Sequence, residues 1–102
     1  MRRVDEKTFF AMTETSKLLV VDFMAEWCGP CRFMEPRLDA VSRKLRGVDF
    51  VQIDIDTAKT AVKSFGLRKV PTVLVIKSGV ELARREGVAS EGELLSMVQD
   101  HL

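Results

Sequence analysis

The chain has 102 residues, 46% of them hydrophobic and 30% charged, and a formal net charge of +1. This length predicts a single domain over residues 1–102 with a modest buried core. The small net charge gives no reason to expect nucleic acid or an anionic membrane surface as the main partner. No apolar run approaches the ~20 residues of a membrane-spanning helix. We therefore expect neither a nucleic acid nor a membrane among the partners.

The first fifteen residues, MRRVDEKTFFAMTET, bear on the compartment. They lack the apolar stretch of a signal peptide. Arg2 and Arg3 are followed by charged residues, which argues against a twin-arginine export signal. We therefore expect a cytoplasmic protein, in a reducing compartment where structural disulfides are rare. Two cysteines separated by only two residues need another explanation there.

The first half of the chain alternates strands with helices. Residues 2–4 predict a short strand, and Asp5 is placed to cap a helix that runs to about Glu14. Residues 18–24 are almost entirely apolar, which is typical of a strand buried on both faces. Apolar residues then recur at helical spacing and predict an amphipathic helix that Gly47 ends. These residues are Met34, Leu38, Val41 and Leu45.

The second half continues the alternation and closes with a hairpin. Residues 48–54 predict a strand, residues 57–64 a short helix, and residues 70–76 a third apolar strand. A turn at residues 78–79 leads to a strand at residues 80–86. Ser90 is placed to cap a last helix. The apolar face of that helix is predicted to contain Leu94, Leu95, Val98 and Leu102.

The element order βαβαβαββα predicts an α/β fold. Its central sheet should be mostly parallel, covered by helices on both sides, with the final hairpin as an antiparallel edge. No repeat or low-complexity tract interrupts the pattern, which indicates one continuous domain. Pro36 lies inside the predicted second helix and should kink it, a structural role only.

Cys28 and Cys31 are the main candidates for chemistry, because they lie where a buried strand ends and a helix begins. The first amides of a helix lack internal partners and its dipole is positive there, and both effects stabilise a thiolate. We expect Cys28 to have a lowered pKa and to act as the nucleophile. Cys31, one turn further in, is the resolving cysteine, and Gly29 and Pro30 suit the tight turn into the helix.

Two other interpretations of this pair are open. Half a zinc site is one, but zinc needs about four ligands and the chain offers two cysteines and His101. Two inert buried thiols are the other, which their position between an apolar strand and a helix disfavours. The redox interpretation requires no metal and no cofactor.

Asp22 interrupts the most apolar strand of the chain. Burial there disfavours its charge and should raise its pKa. Since the helix runs back along the strand, Cys31 should lie nearer to Asp22 than Cys28 does. A carboxylate of raised pKa can accept the proton of Cys31, directly or through water. The alternative is an aspartate at a solvent-facing edge.

Pro71 stands at the start of the third apolar strand. Proline cannot donate a hydrogen bond to a sheet, so this position marks either an edge strand or a functional turn. The sequence by itself leaves the isomer of its peptide bond open.

The segment VDFMAEWCGPC, residues 21–31, resembles the active-site segment of the thioredoxin family. The resemblance covers nearly the whole chain, and further matches fall in order at Pro36, Asp54, Asp56, Val70, Pro71, Thr72, Gly79 and Gly87. It implies the thioredoxin fold, a five-stranded mixed sheet with four helices, and a cis peptide bond before Pro71. It also implies reduction of disulfides in target proteins, with thioredoxin reductase as the electron donor and a monomer as the default state.

The same resemblance implies a flat apolar surface that grips extended target peptides. We call it the substrate surface, and its residues are Trp27, Gly29, Pro30, Val70, Pro71 and Gly87. In the implied reaction, the Cys28 thiolate attacks a target disulfide. Cys31, deprotonated with help from Asp22, then attacks Cys28 and releases the reduced target.

Three residues depart from the family pattern. Met24 stands where many members carry a second tryptophan, which predicts looser packing beside the site. Gln52 stands where many carry a lysine near the buried aspartate, so we predict a higher pKa for Asp22 than in relatives that keep that cation. Lys69 stands where small residues are common. It either reaches Cys28 and favours the thiolate or acidic substrates, or is a solvated loop residue.

Two alternative functions remain at this level. The fold can serve as a redox-inactive or scaffold binding module, against which the complete cysteine pair and Asp22 argue. The chain can also be a disulfide-forming or isomerising oxidase, but such relatives usually carry a histidine between the cysteines, where this chain has Gly29 and Pro30.

Overall fold

The computed structural model describes residues 1–102 and confirms the predicted order of strands and helices. The elements are β1 (Arg2–Arg3), α1 (Glu6–Thr15), β2 (Leu19–Met24), α2 (Cys31–Lys44), β3 (Asp49–Asp54), α3 (Lys59–Ser64), β4 (Thr72–Lys77), β5 (Val80–Glu86) and α4 (Glu91–Gln99). A short 3-10 turn, Ile55–Thr57, precedes α3, so the third helix begins later than predicted. The side chain of Asp54 caps that turn by accepting from the Asp56 amide.

The five strands form one sheet in the order β1-β3-β2-β4-β5. β1 and β2 run parallel to β3, whereas β4 runs antiparallel to both β2 and β5. The mixed sheet implied by the family resemblance is confirmed. The expectation of a mostly parallel sheet is wrong, because an apolar pattern shows that β4 is buried but does not indicate its direction.

Pro71 precedes β4 instead of starting it. The strand begins at Thr72 and lies in the sheet interior between β2 and β5, so the edge-strand interpretation of Pro71 is wrong. The Val70–Pro71 peptide bond is cis, as the resemblance implied. Pro71 therefore lies in a turn outside the hydrogen-bonded ladder, where its missing N–H costs nothing.

The two predicted helix caps are present. Asp5 accepts from the Thr8 amide at 2.8 Å, and Ser90 and Glu93 form a reciprocal capping box. The helix ends differ from the prediction, because α2 stops at Lys44 and α4 at Gln99. Leu45 and Leu102 therefore lie beyond their helices, and Leu102 is 69% exposed instead of packing against the sheet.

The core consists of two apolar layers, one on each face of the sheet. The layer under α2 and α4 contains Val20, Met34, Leu38, Val75 and Leu94 among others. The layer under α1 and α3 contains Phe9, Val21, Phe23, Ile53 and Leu74 among others. All of β2 is buried, as predicted, and its side chains alternate between the two layers. Asp22 alternates with Val21 and Phe23, which places it on the α2 side.

Candidate active site

Cys28 and Cys31 are joined by a disulfide at the start of α2, with their Cα atoms 5.4 Å apart. Each cysteine is only 3% exposed. The helix begins at Cys31, with Pro30 in the cap position, so Cys31 is the first helical residue and not one turn inside as expected. The sequence places the helix here because the apolar run of β2 ends and helical spacing begins within these few residues.

The backbone N–H of Cys31 donates to Sγ of Cys28 at 3.2 Å. In the reduced protein the same sulfur is the thiol or thiolate of Cys28. An amide in the first turn of a helix has no partner within the helix, and the helix dipole adds positive potential there. The geometry therefore favours negative charge on Cys28, which precedes the first residue of α2.

Asp22 is fully buried in β2. Its Oδ2 accepts from Nε2 of Gln52 at 3.3 Å, and its Oδ1 has no hydrogen-bond partner. The pKa of Asp22 is raised to about 7, mainly by burial. The charges of Glu35 and Asp39 contribute to this rise, while the Gln52 hydrogen bond and the Arg3 charge oppose it. The predicted raised pKa is thus found. The solvent-facing-edge alternative is wrong, because β2 lies in the middle of the sheet.

A cavity of about 110 Å³ lies against the disulfide, and we call it the site cavity. Both cysteines line it together with Gln52, the hydrogen-bond partner of Asp22. Arg3, Glu26 and Glu35 contribute charged groups to its wall. A cavity of this size with several polar groups is suited to hold water. Water in the site cavity can therefore reach both the cysteine pair and the Gln52 amide that donates to Asp22.

The substrate surface begins at Trp27, which is 69% exposed. Its indole Nε1 donates to Oδ2 of Asp56 at 2.9 Å, which fixes one edge of the ring. Gly29 and Pro30 are exposed in the turn between the two cysteines. The apolar face of Trp27 is thus held in solvent directly beside Cys28.

The second half of the substrate surface comes from two loops joined by a backbone hydrogen bond. The Gly87 N–H donates to the Pro71 carbonyl at 2.8 Å. Val70 packs against the cluster that contains both cysteines, and it lines a groove of about 140 Å³ together with Trp27. Pro71 itself is buried, so it shapes this surface mainly through its backbone.

The three departures from the family pattern take clear positions. Met24 is 5% exposed and packs with the two cysteines. Gln52 bonds Asp22, as described. Lys69 lines the groove beside Trp27, and its Nζ lies 3.7 Å from where a Cβ on Gly87 would stand. Lys69 also lies close enough to Glu86 to affect it. The hydrogen bond from Arg68 is the main cause of the lowered pKa of Glu86, and the charge of Lys69 is a smaller cause.

Sequence reasoning missed Arg3 at the site, and it missed an exposed aromatic residue two positions after Cys31. Arg3 ion-pairs with Glu26, and both line the site cavity. Arg3 could have been found only from the pairing of β1 with β3, which places it opposite Gln52. Phe33 was also missed, a 63% exposed aromatic residue in the first turn of α2. The sequence indicated that Phe33 is exposed only through its position, which lies outside the apolar spacing of α2.

The structure contains no group of three or more His, Cys, Asp or Glu side chains placed to hold a metal ion. None of its helices has both the length and the apolar character needed to cross a membrane.

A cysteine pair at the N-terminus of the helix that follows a central strand defines the class of CxxC dithiol–disulfide proteins. The family model described as Thioredoxin matches residues 1–100. The chain is 36% identical to thioredoxin of Chlamydia muridarum over 92 residues, which cover 90% of each chain. This chain belongs to the thioredoxin family.

Two further comparisons agree with this assignment. The chain is 42% identical to Thioredoxin H2 of Arabidopsis thaliana over 83 residues, covering 81% of this chain and 62% of that relative. The solved structure of Plasmodium falciparum thioredoxin superimposes with a TM-score of 0.88 at 25% identity, covering 99% of this chain and 98% of that one. The thioredoxin fold implied by the resemblance is confirmed.

Membership of this family, together with the Cys28–Cys31 pair, makes the chain a thiol–disulfide oxidoreductase that reduces protein disulfides. Thioredoxins carry electrons on their own cysteine pair and need no cofactor. The family generally works with a thioredoxin reductase and with disulfide-containing targets.

Proposed function

We propose that Cys28 is the nucleophile and Cys31 the resolving cysteine in the reduction of target disulfides. The observation that carries this assignment is the hydrogen bond from the Cys31 amide to Sγ of Cys28 at the start of α2. It favours the thiolate of Cys28, because thiolates are stabilised by helix N-terminal amides. Both cysteines are 3% exposed, so this assignment rests on the hydrogen bond and not on a difference in burial.

The reaction has two thiol–disulfide exchanges. The Cys28 thiolate bonds to one target sulfur, and the other target sulfur leaves as a thiolate. The Cys31 thiolate then bonds to Cys28, and the first target sulfur leaves. Two electrons pass to the target, and the Cys28–Cys31 disulfide forms. A thioredoxin reductase returns two electrons to this disulfide and completes the cycle.

Asp22 is the proton acceptor for Cys31 in this proposal. A general base works best when its pKa is close to the pH at which it operates, and the pKa of Asp22 is about 7. The site cavity supplies space for water near both Cys31 and the Gln52 amide. A proton on Cys31 therefore has an acceptor of matched strength on the same side of the sheet.

The substrate surface binds the target around its disulfide, through Trp27, Gly29, Pro30, Val70, Pro71 and Gly87. Support comes from the exposed indole of Trp27 beside Cys28 and from the contact of Val70 with the cysteine cluster. Aromatic side chains of this kind supply much of the binding free energy at protein interfaces. We propose that residues 1–102 act as one monomeric domain in the cytoplasm, with no nucleic acid or membrane partner.

The first test is the reduction potential of the Cys28–Cys31 couple, measured by equilibration with glutathione or dithiothreitol buffers. We expect a value near or below about −250 mV, because a protein reductant must hold its electrons less tightly than its targets do. A value above about −200 mV would indicate an oxidant or isomerase. The absence of a reversible couple would indicate a redox-inactive binding module.

The second test separates the two cysteine roles. The Cys31→Ser variant should accumulate a mixed disulfide with a target protein, whereas the Cys28→Ser variant should not. Trapping is measured by non-reducing electrophoresis and mass spectrometry. Accumulation through Cys31 in the Cys28→Ser variant, at the rate of the Cys31→Ser variant, would reverse the assignment.

A further inference from the structure

Arg3, Gln52 and Asp22 are neighbours across three adjacent strands. Arg3 is the register partner of Gln52 between β1 and β3, and Asp22 is the partner of Gln52 between β2 and β3. Register partners project to the same face of a sheet. The row therefore leads from the outermost strand inward, and side-chain exposure falls from 45% at Arg3 to a fully buried carboxyl at Asp22.

A chain of hydrogen bonds follows this row. Nε and Nη2 of Arg3 both donate to Oε1 of Gln52, each at 3.4 Å. Nε2 of Gln52 donates to Oδ2 of Asp22 at 3.3 Å. A guanidinium group has no acceptor, so it binds only the oxygen end of the amide. The contact with Arg3 therefore turns the donor end of Gln52 toward Asp22.

Arg3 is held in place from its other side by Glu26. Nη1 of Arg3 pairs with Oε1 of Glu26, while the other two nitrogens contact Gln52. All three residues line the site cavity together with both cysteines. An exposed ion pair contributes little to stability by itself. The structural consequence of this pair is that the guanidinium stays over the Gln52 oxygen.

We propose that Arg3 is a positioning residue for the resolving step, acting through Gln52 to keep the Asp22 carboxylate available as the acceptor of the Cys31 proton. In that step the Cys31 proton passes to Asp22, Sγ of Cys31 bonds to Sγ of Cys28, and the bond between Cys28 and the target breaks. The target sulfur leaves with the electron pair. This inference rests on the proposed role of Asp22.

The charges that face Asp22 from the surrounding elements mostly oppose its ionisation, so the positive charge of Arg3 matters for keeping it a carboxylate. The α2 helix brings Glu35 and Asp39, which both disfavour a second negative charge, and Asp39 also accepts from the Met1 amino group. β4 offers only an apolar register partner, Val73. Arg3 from β1 supplies the opposing positive charge.

The cavity wall adds four more groups with charge or titratable protons. These are Glu26, which is paired with Arg3, Cys28, and Cys31 and Arg32 on α2. Removing the Arg3 charge leaves the two carboxylates of α2 opposed by less positive charge near the buried site. The carboxylate of Asp22 then accepts a proton at higher pH.

The test compares Arg3→Leu with Arg2→Leu, a matched control on the same strand whose guanidinium contacts Met12 instead of Gln52. The pKa of Asp22 is followed by carboxyl carbon NMR in each folded protein. The pH profile of target release from a preformed mixed disulfide is measured in parallel. We expect Arg3→Leu to raise the pKa of Asp22 by about half a unit or more, and to slow release about threefold on the acidic side of the profile.

Arg3→Lys should restore part of the effect, and Arg2→Leu should leave both readouts unchanged. In a Gln52→Leu background, the Arg3→Leu change should be smaller, since the amide that transmits it is gone. An unchanged pKa of Asp22 in Arg3→Leu would overturn the inference and leave the role of Asp22 intact. A shifted pKa with an unchanged release profile would instead overturn the proton-acceptor role of Asp22, and the inference with it.

Discussion

The backbone N–H of Gly87 donates to the carbonyl of Pro71 at 2.8 Å and joins the two loops beside the disulfide. Gly87 has a φ of +84°, in the left-handed region that side chains with a Cβ disfavour. The carbonyl of Pro71 is thereby fixed at the rim of the substrate surface. A substitution that strains the backbone at Gly87 should therefore weaken the binding of a target.

We predict that Gly87→Ala lowers the free energy of unfolding by about 1 kcal/mol, because a Cβ disfavours this φ. The same change should raise the KM for a protein target and leave kcat nearly unaltered. Gly47→Ala is the matched control, with a φ of +77° and no neighbour for the new Cβ. It should lose similar stability without a change in KM. Equal effects of both variants on KM would contradict the prediction.

A second prediction concerns the stability of the oxidised protein against pH. Asp22 has a pKa of about 7 in the folded protein and an ordinary value of 3.8. The folded state therefore binds this proton more tightly, and ionisation of Asp22 destabilises the fold as the pH rises from about 4 through 7. At about 1.4 kcal/mol for each pH unit between the two values, the cost approaches about 4 kcal/mol above pH 7.

Asp22→Asn should remove this cost, so the variant gains roughly 2–4 kcal/mol over the parent at pH 8, about 1 kcal/mol at pH 4.5 and little or nothing near pH 3. Denaturant unfolding of both proteins at several pH values measures the difference. Asp100→Asn, at an exposed position after α4, serves as the control and should show no such trend. A gain that does not vary with pH would be inconsistent with a raised pKa.

The third prediction addresses Trp27. Trp27→Ala should lower kcat/KM for a protein target about tenfold, because an exposed aromatic residue at the centre of an interface contributes on the order of 1–2 kcal/mol. The effect on a small disulfide such as oxidised glutathione should be slight. Leu102→Ala is matched in exposure, since both side chains are 69% exposed, and it should change neither rate. A similar loss on both substrates would assign Trp27 to the chemistry instead of to target binding.

The fourth prediction concerns Gln52. Gln52→Lys places a cation beside the Asp22 carboxylate and should lower the pKa of Asp22 by at least about one unit, since opposite charges at short range favour ionisation. Carboxyl carbon NMR measures this value directly. Gln52→Met, which removes the hydrogen bond without adding charge, should move the pKa upward. A downward shift in both variants would rule out charge as the cause.

The alternation of strands and helices along the whole chain made the fold class predictable, and residues 18–31 made the reaction centre predictable. The continuous burial of β2 was visible as an apolar run, and Cys28 and Cys31 stood where that run met helical spacing. The burial of Asp22 followed from its place in the same run. These features depend on local sequence patterns, which determine burial and secondary structure directly.

The direction of β4 and the role of Arg3 were not predictable in the same way. The apolar run at residues 70–76 predicts a strand that is buried on both faces. Such a run looks the same whether the strand runs parallel or antiparallel to its neighbours. Arg3 lies far from Gln52 and Asp22 in sequence, and only the register of β1 on β3 brings it to them. The start of α2 at Cys31 was also not predictable, because it depends on the path of the turn at residues 25–30.

The site cavity and the groove beside Trp27 share no lining residue. In the proposed reaction, a target that docks in this groove contacts residues that contribute nothing to the wall of the site cavity. We therefore expect water in the site cavity to stay in exchange with solvent beside Arg3 and Glu26 while the target is bound. The proton of Cys31 then has a path to Asp22 that target docking in the groove does not block.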